Sequence, residues 1–154
     1  MAQIITMSEA ANLVKDEMKV LVAGFWGIGA PDKLIDAIIE TGVKDLTAVS
    51  ISSSMPYKGV GKFIAAKTVK KGIFSFIGRN TDAQEQYNNG DLEIEFSPQG
   101  TLAERVRAGG FGIGGFLTPT GVGTEVQEGK QVITLNGKEY LLEEGIRGDV
   151  AVLK

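Results

Sequence analysis

One short stretch limits the architecture more than any other. Lys19-Val20-Leu21-Val22 is an apolar run of strand length that leads into Gly24, Gly27 and Gly29, and Pro31-Asp32 then opens an amphipathic helix. A buried strand, a glycine-rich loop and a proline-initiated helix, in that order, form half of a β-α-β unit. The helix predicted behind Pro31 carries Leu34, Ile35, Ile38 and Ile39 on one stripe and is closed by Gly42. Further units follow. Leu46–Ile51 reads as a strand with a Ser52-Ser53-Ser54 turn, Val60–Ala66 as a short helix, and Gly72–Ile77 as a strand. Asn80 or Thr81 caps a polar helix ending at Gly90, Leu92–Phe96 is a strand, and Pro98 opens a helix that stops at Gly109-Gly110. Before all of these, Ser8 is the predicted cap of a first helix bearing Ala11, Leu13, Val14 and Met18. Gln131–Leu135 and Lys138–Leu142 flank Asn136-Gly137 as a hairpin, and Asp149–Leu153 is a last apolar strand. The expected fold is α/β: a mostly parallel sheet flanked by helices, with a β-hairpin near the C-terminus.

Glycine is where composition matters, at 21 of 154 residues, about twice ordinary usage. The glycines gather between Gly24 and Gly29 and again between Gly109 and Gly123. In a parallel sheet, ligands sit at the carboxyl ends of strands, where glycine lets backbone approach closely. Two familiar phosphate-binding readings fail on context. Gly110-x-Gly112-x-x-Gly115 follows a helix rather than a strand. Gly129-Lys130 lacks the leading glycine of a P-loop and has Gln131 where Ser or Thr is required.

The chain has no Cys and no His, which removes disulfides, thiolate metal sites and the usual neutral-pH base. Chemistry here falls to carboxylates, amides, hydroxyls, lysines and backbone N–H groups, or is completed by another chain. A net charge of −3 speaks against a nucleic-acid footprint. No secretory signal and no apolar stretch of membrane-spanning length is present, so a cytoplasmic setting is expected, with no metal, nucleic acid or membrane as partner.

Two blocks carry a family resemblance. Asp16 through Val22, Gly24-Phe25, Gly27, Gly29 and Pro31 resemble the N-terminal signature of family I coenzyme A transferases, with Glu17 and Ala23 replacing usual glycines. Pro98-Gln99-Gly100-Thr101, continuing through Arg107-Ala108-Gly109-Gly110 to Thr118-Pro119-Thr120-Gly121-Val122-Gly123-Thr124, resembles the α subunit of the acetate/acetoacetate or 3-oxoacid type. The resemblance runs from the first helix to the last residue. It implies a single domain over residues 1–154, one that in α subunits continues further, so the domain is expected to be C-terminally incomplete. It also implies ping-pong transfer of coenzyme A between a short acyl-CoA and a carboxylic acid such as acetate, butyrate or acetoacetate. Coenzyme A is then a substrate, and no cofactor is expected. The nucleophilic glutamate would lie in a Ser-Glu-Asn-Gly segment of a partner β subunit, a segment this chain lacks.

The resemblance assigns Gln99 as the oxyanion donor, against its being a capping or interface residue. It gives Gly24, Phe25, Gly27 and Gly29 the loop beneath the acyl group or pantetheine arm, and Gly114 and Gly115 a place in the same cleft, with Phe116 beneath it. Relatives carry Asn where Ile51-Ser52 stands, which leaves Ser52 as a weaker carboxylate contact. Trp26 either packs or shapes an acyl pocket. Lys67, Lys70, Lys71 and Arg79 either meet coenzyme A phosphates or form a solvated basic face, and Glu104, Arg105 and Arg107 read as one charge network. A non-catalytic sensor of sugar phosphates or acyl-CoA on the same broad fold is the alternative function, and a sugar-phosphate isomerase lacks an evident acid/base carboxylate.

Overall fold

The structure is a computed structural model that describes residues 2–154. The chain divides into two compact units, one running to Glu95 and taking in Gly148–Lys154, the other spanning Phe96–Arg147.

The first unit holds five strands, β1 (Lys19–Val22), β2 (Leu46–Val49), β3 (Val69–Phe74), β4 (Glu93–Phe96) and β8 (Val150–Val152), in the order β4-β3-β2-β1-β8. The β1–β2, β2–β3 and β1–β8 pairs are parallel, as expected of strands joined through helices. Four helices belong to it: α1 (Met7–Ala11), α2 (Asp32–Glu40), α3 (Val60–Ala65) and α4 (Thr81–Asn89). In β1, Val20 and Val22 point into the core while Lys19 and Leu21 are half-buried, so the alternation sets the strand's inner face. The α2 stripe delivers Ile35 and Ile38 fully into that core beside Phe63, Phe74 and Leu46. Asn80 caps α4, its Oδ1 accepting from Ala83 N at 3.0 Å, and Gly90 ends it in the left-handed conformation.

The second unit contains α5 (Gln99–Phe111) and a three-stranded antiparallel sheet, β5 (Gly115–Thr118), β6 (Val132–Leu135) and β7 (Lys138–Glu144), ordered β5-β7-β6. Asn136 and Gly137 both have positive φ, 53° and 75°, the pair a type I′ hairpin turn demands.

Several expected boundaries move. Thr6, not Ser8, caps α1: its Oγ1 accepts from Glu9 N at 3.2 Å while Glu9 Oε2 accepts from Thr6 N at 2.7 Å. The helix stops at Ala11, and Val14 reaches the core from the turn beyond while Leu13 stays exposed. β3 begins three residues early because Leu46 pairs with Val69, and the residues after Phe74 leave the ladder for a loop. α5 runs through Gly109 and Gly110 to a left-handed cap at Gly112. Gly109 sits in the last turn of the helix because the chain at Ile146 passes against it: a Cβ there would lie 2.0 Å from Ile146 O. β5 has no counterpart in the sequence reading, and it turns the expected hairpin into a three-stranded sheet. No helix of the described residues is long and apolar enough to cross a membrane.

Candidate functional site

Because β1, β2 and β3 run parallel, the segments that follow them emerge at one edge of the sheet. The loop after β1 is a tight reversal: Phe25 N donates to Ile28 O at 3.0 Å and Ile28 N to Phe25 O at 2.9 Å. Its two central residues, Trp26 and Gly27, have φ of 52° and 82°, so a tryptophan occupies a position that favours glycine or asparagine. A Cβ on Gly27 would lie 2.6 Å from Lys58 Cβ, and Gly24, at φ 113°, lies against Ala30. Gly29 also needs positive φ but faces open space.

The loop after β2 packs directly on this reversal. A Cβ on Gly59 would stand 3.2 Å from Ser54 Oγ and 3.4 Å from Gly27 Cα, so glycine at 59 lets the two loops close. Asp32, in the first turn of α2, accepts from Gly59 N at 2.8 Å and holds that contact. Ser50 Oγ donates to Val22 O at 2.9 Å, joining the ends of β1 and β2. Asn80, in the loop after β3, donates from Nδ2 to Ser53 O at 2.9 Å, and Ser53 N donates to Phe76 O. Three loops are thereby knitted into one surface. Phe25, Ile28, Tyr57 and Phe76 are exposed on it, an apolar rim of the kind that ligand and partner sites present.

Polar atoms under that rim are left over. Among the described residues, the buried side-chain polar atoms without a hydrogen-bond partner are Trp26 Nε1, Ser53 Oγ and Ser54 Oγ. Buried polar groups are ordinarily paired, and leaving one unpaired costs about 1–3 kcal/mol. Ser54 adds a φ of 63°, and strain of this sort concentrates at functional sites. The Trp26 ring stacks on Phe25 with centroids 5.0 Å apart and carries the Arg79 guanidinium 4.9 Å from its centroid. Ser52 itself is buried, and its Oγ accepts from Ser54 N at 3.2 Å, so its hydroxyl shapes the turn. Ser53 and Ser54 read in the sequence only as part of a turn, with Ser52 alone a candidate contact; the triple serine after an apolar strand was the available signal.

The four basic residues separate by edge. Lys67, Lys70 and Lys71 lie before or at the start of β3, at the amino edge of the sheet, and Arg79 alone follows its carboxyl end. Lys71 Nζ is also held by Glu93 Oε1 at 2.7 Å and Glu95 Oε2 at 3.6 Å. The hydrogen bond to Glu93 raises its pKa above the ordinary lysine value.

Gln99, Gly114 and Gly115 belong to the second unit. Gln99 is the first residue of α5, exposed, behind the N-cap Pro98. Proline fixes the entry and supplies no side-chain cap, and the Gln99 amide is exposed at the helix start. Gly114 and Gly115 follow the other end of the same 13-residue helix, about 20 Å away along its axis. Within this unit the structure therefore separates Gln99 from the two glycines. Gly115 is on β5 opposite Glu144, where a Cβ would meet Glu143 O at 2.7 Å, and Gly114 is open. Phe116 is half-buried on β5 opposite Glu143.

The expected charge network is two separate features. Glu104 and Arg107 pair on the surface, Nε to Oε2 at 2.8 Å, lowering the Glu104 pKa. Arg105 turns inward to Glu143, a carboxylate only 1% exposed whose Oε1 accepts from Lys130 Nζ at 2.6 Å. Nothing in the strand's alternation marked Glu143 as buried.

Residues 4–154 match the family model described as coenzyme A transferase. The chain is 43% identical over 152 residues to the acetate CoA-transferase subunit alpha of Escherichia coli (strain K12), covering 99% of this chain and 69% of that protein. It is 46% identical over 153 residues to the acetoacetyl-CoA:acetate/butyrate CoA transferase alpha subunit of Clostridium acetobutylicum, covering 99% and 70%. Its fold superposes on the crystal structure of glutaconate coenzyme A-transferase from Acidaminococcus fermentans with a TM-score of 0.85 at 16% identity, covering 99% of this chain and 56% of that one.

Proposed function

This chain belongs to the coenzyme A transferase family, and on that premise we propose that it is the α-type half of an enzyme exchanging coenzyme A between a short-chain or 3-oxo acyl-CoA and a carboxylic acid. Acetate, butyrate and acetoacetate are the acids in view, because relatives nearly half identical over almost the whole chain carry those names. The nucleophile is a glutamate of a partner β subunit. Its carboxylate attacks the thioester carbonyl and releases coenzyme A thiolate, leaving a mixed anhydride. The thiolate then attacks the glutamyl carbonyl and expels the first acid as its carboxylate, which leaves a glutamyl-CoA thioester. A second acid takes the coenzyme A by the reverse steps. The nucleophile is an anion from the start, so the reaction needs no cofactor, metal or histidine. Its place is the cytoplasm, where acyl-CoA pools are held.

The observation that carries this reading is Gln99. Each step gathers negative charge on a carbonyl oxygen, and a preorganised donor aimed there gives a large share of the rate. An exposed amide at a proline-fixed helix start meets that need, and being neutral it does not over-bind the anionic acid. The unpaired Trp26, Ser53 and Ser54 donors support the carboxyl edge of the parallel sheet as the place where an oxygen-bearing substrate group is received.

The test is co-expression with a β-type subunit containing Ser-Glu-Asn-Gly, followed by coenzyme A exchange from acetoacetyl-CoA or butyryl-CoA to acetate. Gln99→Ala is expected to lower kcat by about 10²–10³. An unchanged kcat removes Gln99 from the chemistry, and no exchange with either acyl-CoA removes the proposed reaction.

A further inference from the structure

The second unit contains a buried ionic centre that the transfer chemistry leaves unused. Arg105, midway along α5, is its hub. Its Nε donates to Glu144 O at 3.0 Å and lies 3.7 Å from Glu143 Oε2, and its own carbonyl accepts from Ile146 N at 2.8 Å. One residue thus fastens α5 to β7 and to the chain just beyond it. The other arm of the guanidinium points back along the helix, and Nη1 donates to Ser97 Oγ at 3.4 Å. Ser97 is fully buried and immediately precedes Pro98-Gln99. Glu143, almost fully buried, is held from its other side by Lys130, whose Nζ lies 2.6 Å from Oε1.

A buried carboxylate between two cations is a poor way to gain stability, since desolvation consumes most of the attraction. Its use lies in geometry: a planar guanidinium with several donors in fixed directions locks more than one segment at once. Here the segments are the β7 backbone and the residue before the helix start. We propose that Arg105, oriented by Glu143, is a positioning residue for Gln99, holding Ser97 and hence the Pro98-Gln99 turn in one place relative to strand β7. This rests on the reading of Gln99 as the oxyanion donor. An oxyanion donor must be held within a fraction of an ångström to be effective, and Pro98 gives this helix start no side-chain cap to hold it. The restraint must come through the backbone on either side. Leu102 N donating to Pro98 O at 2.8 Å supplies it from within the helix, and Ser97 supplies it from before the helix.

The experiment is a double-mutant cycle in the complex with the partner subunit, measuring kcat and KM for acyl-CoA. Ser97→Ala removes the acceptor and leaves every charge in place. It is expected to lower kcat about tenfold with KM within about twofold. Arg105→Lys, which keeps the charge on Glu143 but loses the fork, is expected to do the same and guards against a folding defect in the first variant. In a Gln99→Ala background both losses should vanish, because there is no longer a donor to misplace. Losses that persist unchanged in that background overturn the positioning role while leaving Gln99 intact. A kcat unaffected by Ser97→Ala and by Arg105→Lys also overturns it. Gln99→Ala without effect instead overturns the reading of Gln99, and the positioning role with it.

Discussion

Gly24–Gly29 and Gly109–Gly115 are both dense in glycine, but where they exclude a side chain they do so for different reasons. In the first stretch all three glycines have positive φ, because the chain must reverse within two residues and lie against the next loop. In the second, only Gly112 does. Gly109 is ordinary helix whose missing Cβ makes room for the carbonyl of Ile146, and Gly115 is ordinary strand that clears Glu143 O. Glycine in the first stretch serves backbone freedom, and in the second it serves close approach. The same composition therefore marks a reversal of the chain in one place and packing between an element and its neighbour in the other.

That contrast breaks most visibly at Gly109→Ala. The added methyl would lie 2.0 Å from Ile146 O and 2.4 Å from Ile146 C, both backbone atoms that cannot swing aside. A loss of about 3 kcal/mol is expected in denaturant unfolding. A loss under about 1 kcal/mol would show that α5 slides freely on the chain at Ile146.

Gly27→Ala combines both penalties at smaller size, with φ at 82° and Lys58 Cβ at 2.6 Å. About 2 kcal/mol is expected, left-handed strain supplying much of it. Coenzyme A exchange should fall as well, because Trp26 is the other central residue of that reversal and Gly27 and Ser54 both lie against Gly59. Stability lost with activity intact would separate the turn from the site.

Gly114→Ala sharpens the comparison from the other side. Gly114 has neither positive φ nor any atom within 4 Å of a Cβ. Stability should change by less than about 0.5 kcal/mol, so any drop in exchange rate would report contact with substrate. No drop would leave Gly114 outside the cleft, consistent with its distance along α5 from Gln99.

Much of the first unit was legible because its signals are local. The α2 stripe of Leu34, Ile35, Ile38 and Ile39 produces its own helix, and Asn80 and Gly90 bound α4 through short-range hydrogen bonds. Asn136-Gly137 fixes its hairpin in the same way. β5 was missed because a four-residue strand is defined by its partner, and Gly115 finds Glu144 across a long intervening segment. α5 was cut short because Gly109-Gly110 reads as a stop when Ile146 is not in view. Among the candidate residues, the glycine loop of the first unit was visible as sequence, and so, in the second unit, was Gln99 behind its proline. The unpaired Ser53 and Ser54 hydroxyls were not, since burial of a serine depends on what the neighbouring loops place over it. Glu143 was hidden for a related reason: next to Glu144 it looks like a solvated strand residue until Lys130 and Arg105 converge on it.

By itself the sequence determined the alternation of strands and helices, the glycine loop after β1 and the family, since each is written in residues adjacent along the chain. Only the tertiary structure decided which glycines bend the backbone and which make room, which serines lose their partners, and why a glutamate can be buried. Those outcomes depend on atoms brought from distant parts of the chain, and sterics and desolvation act only once those atoms have met.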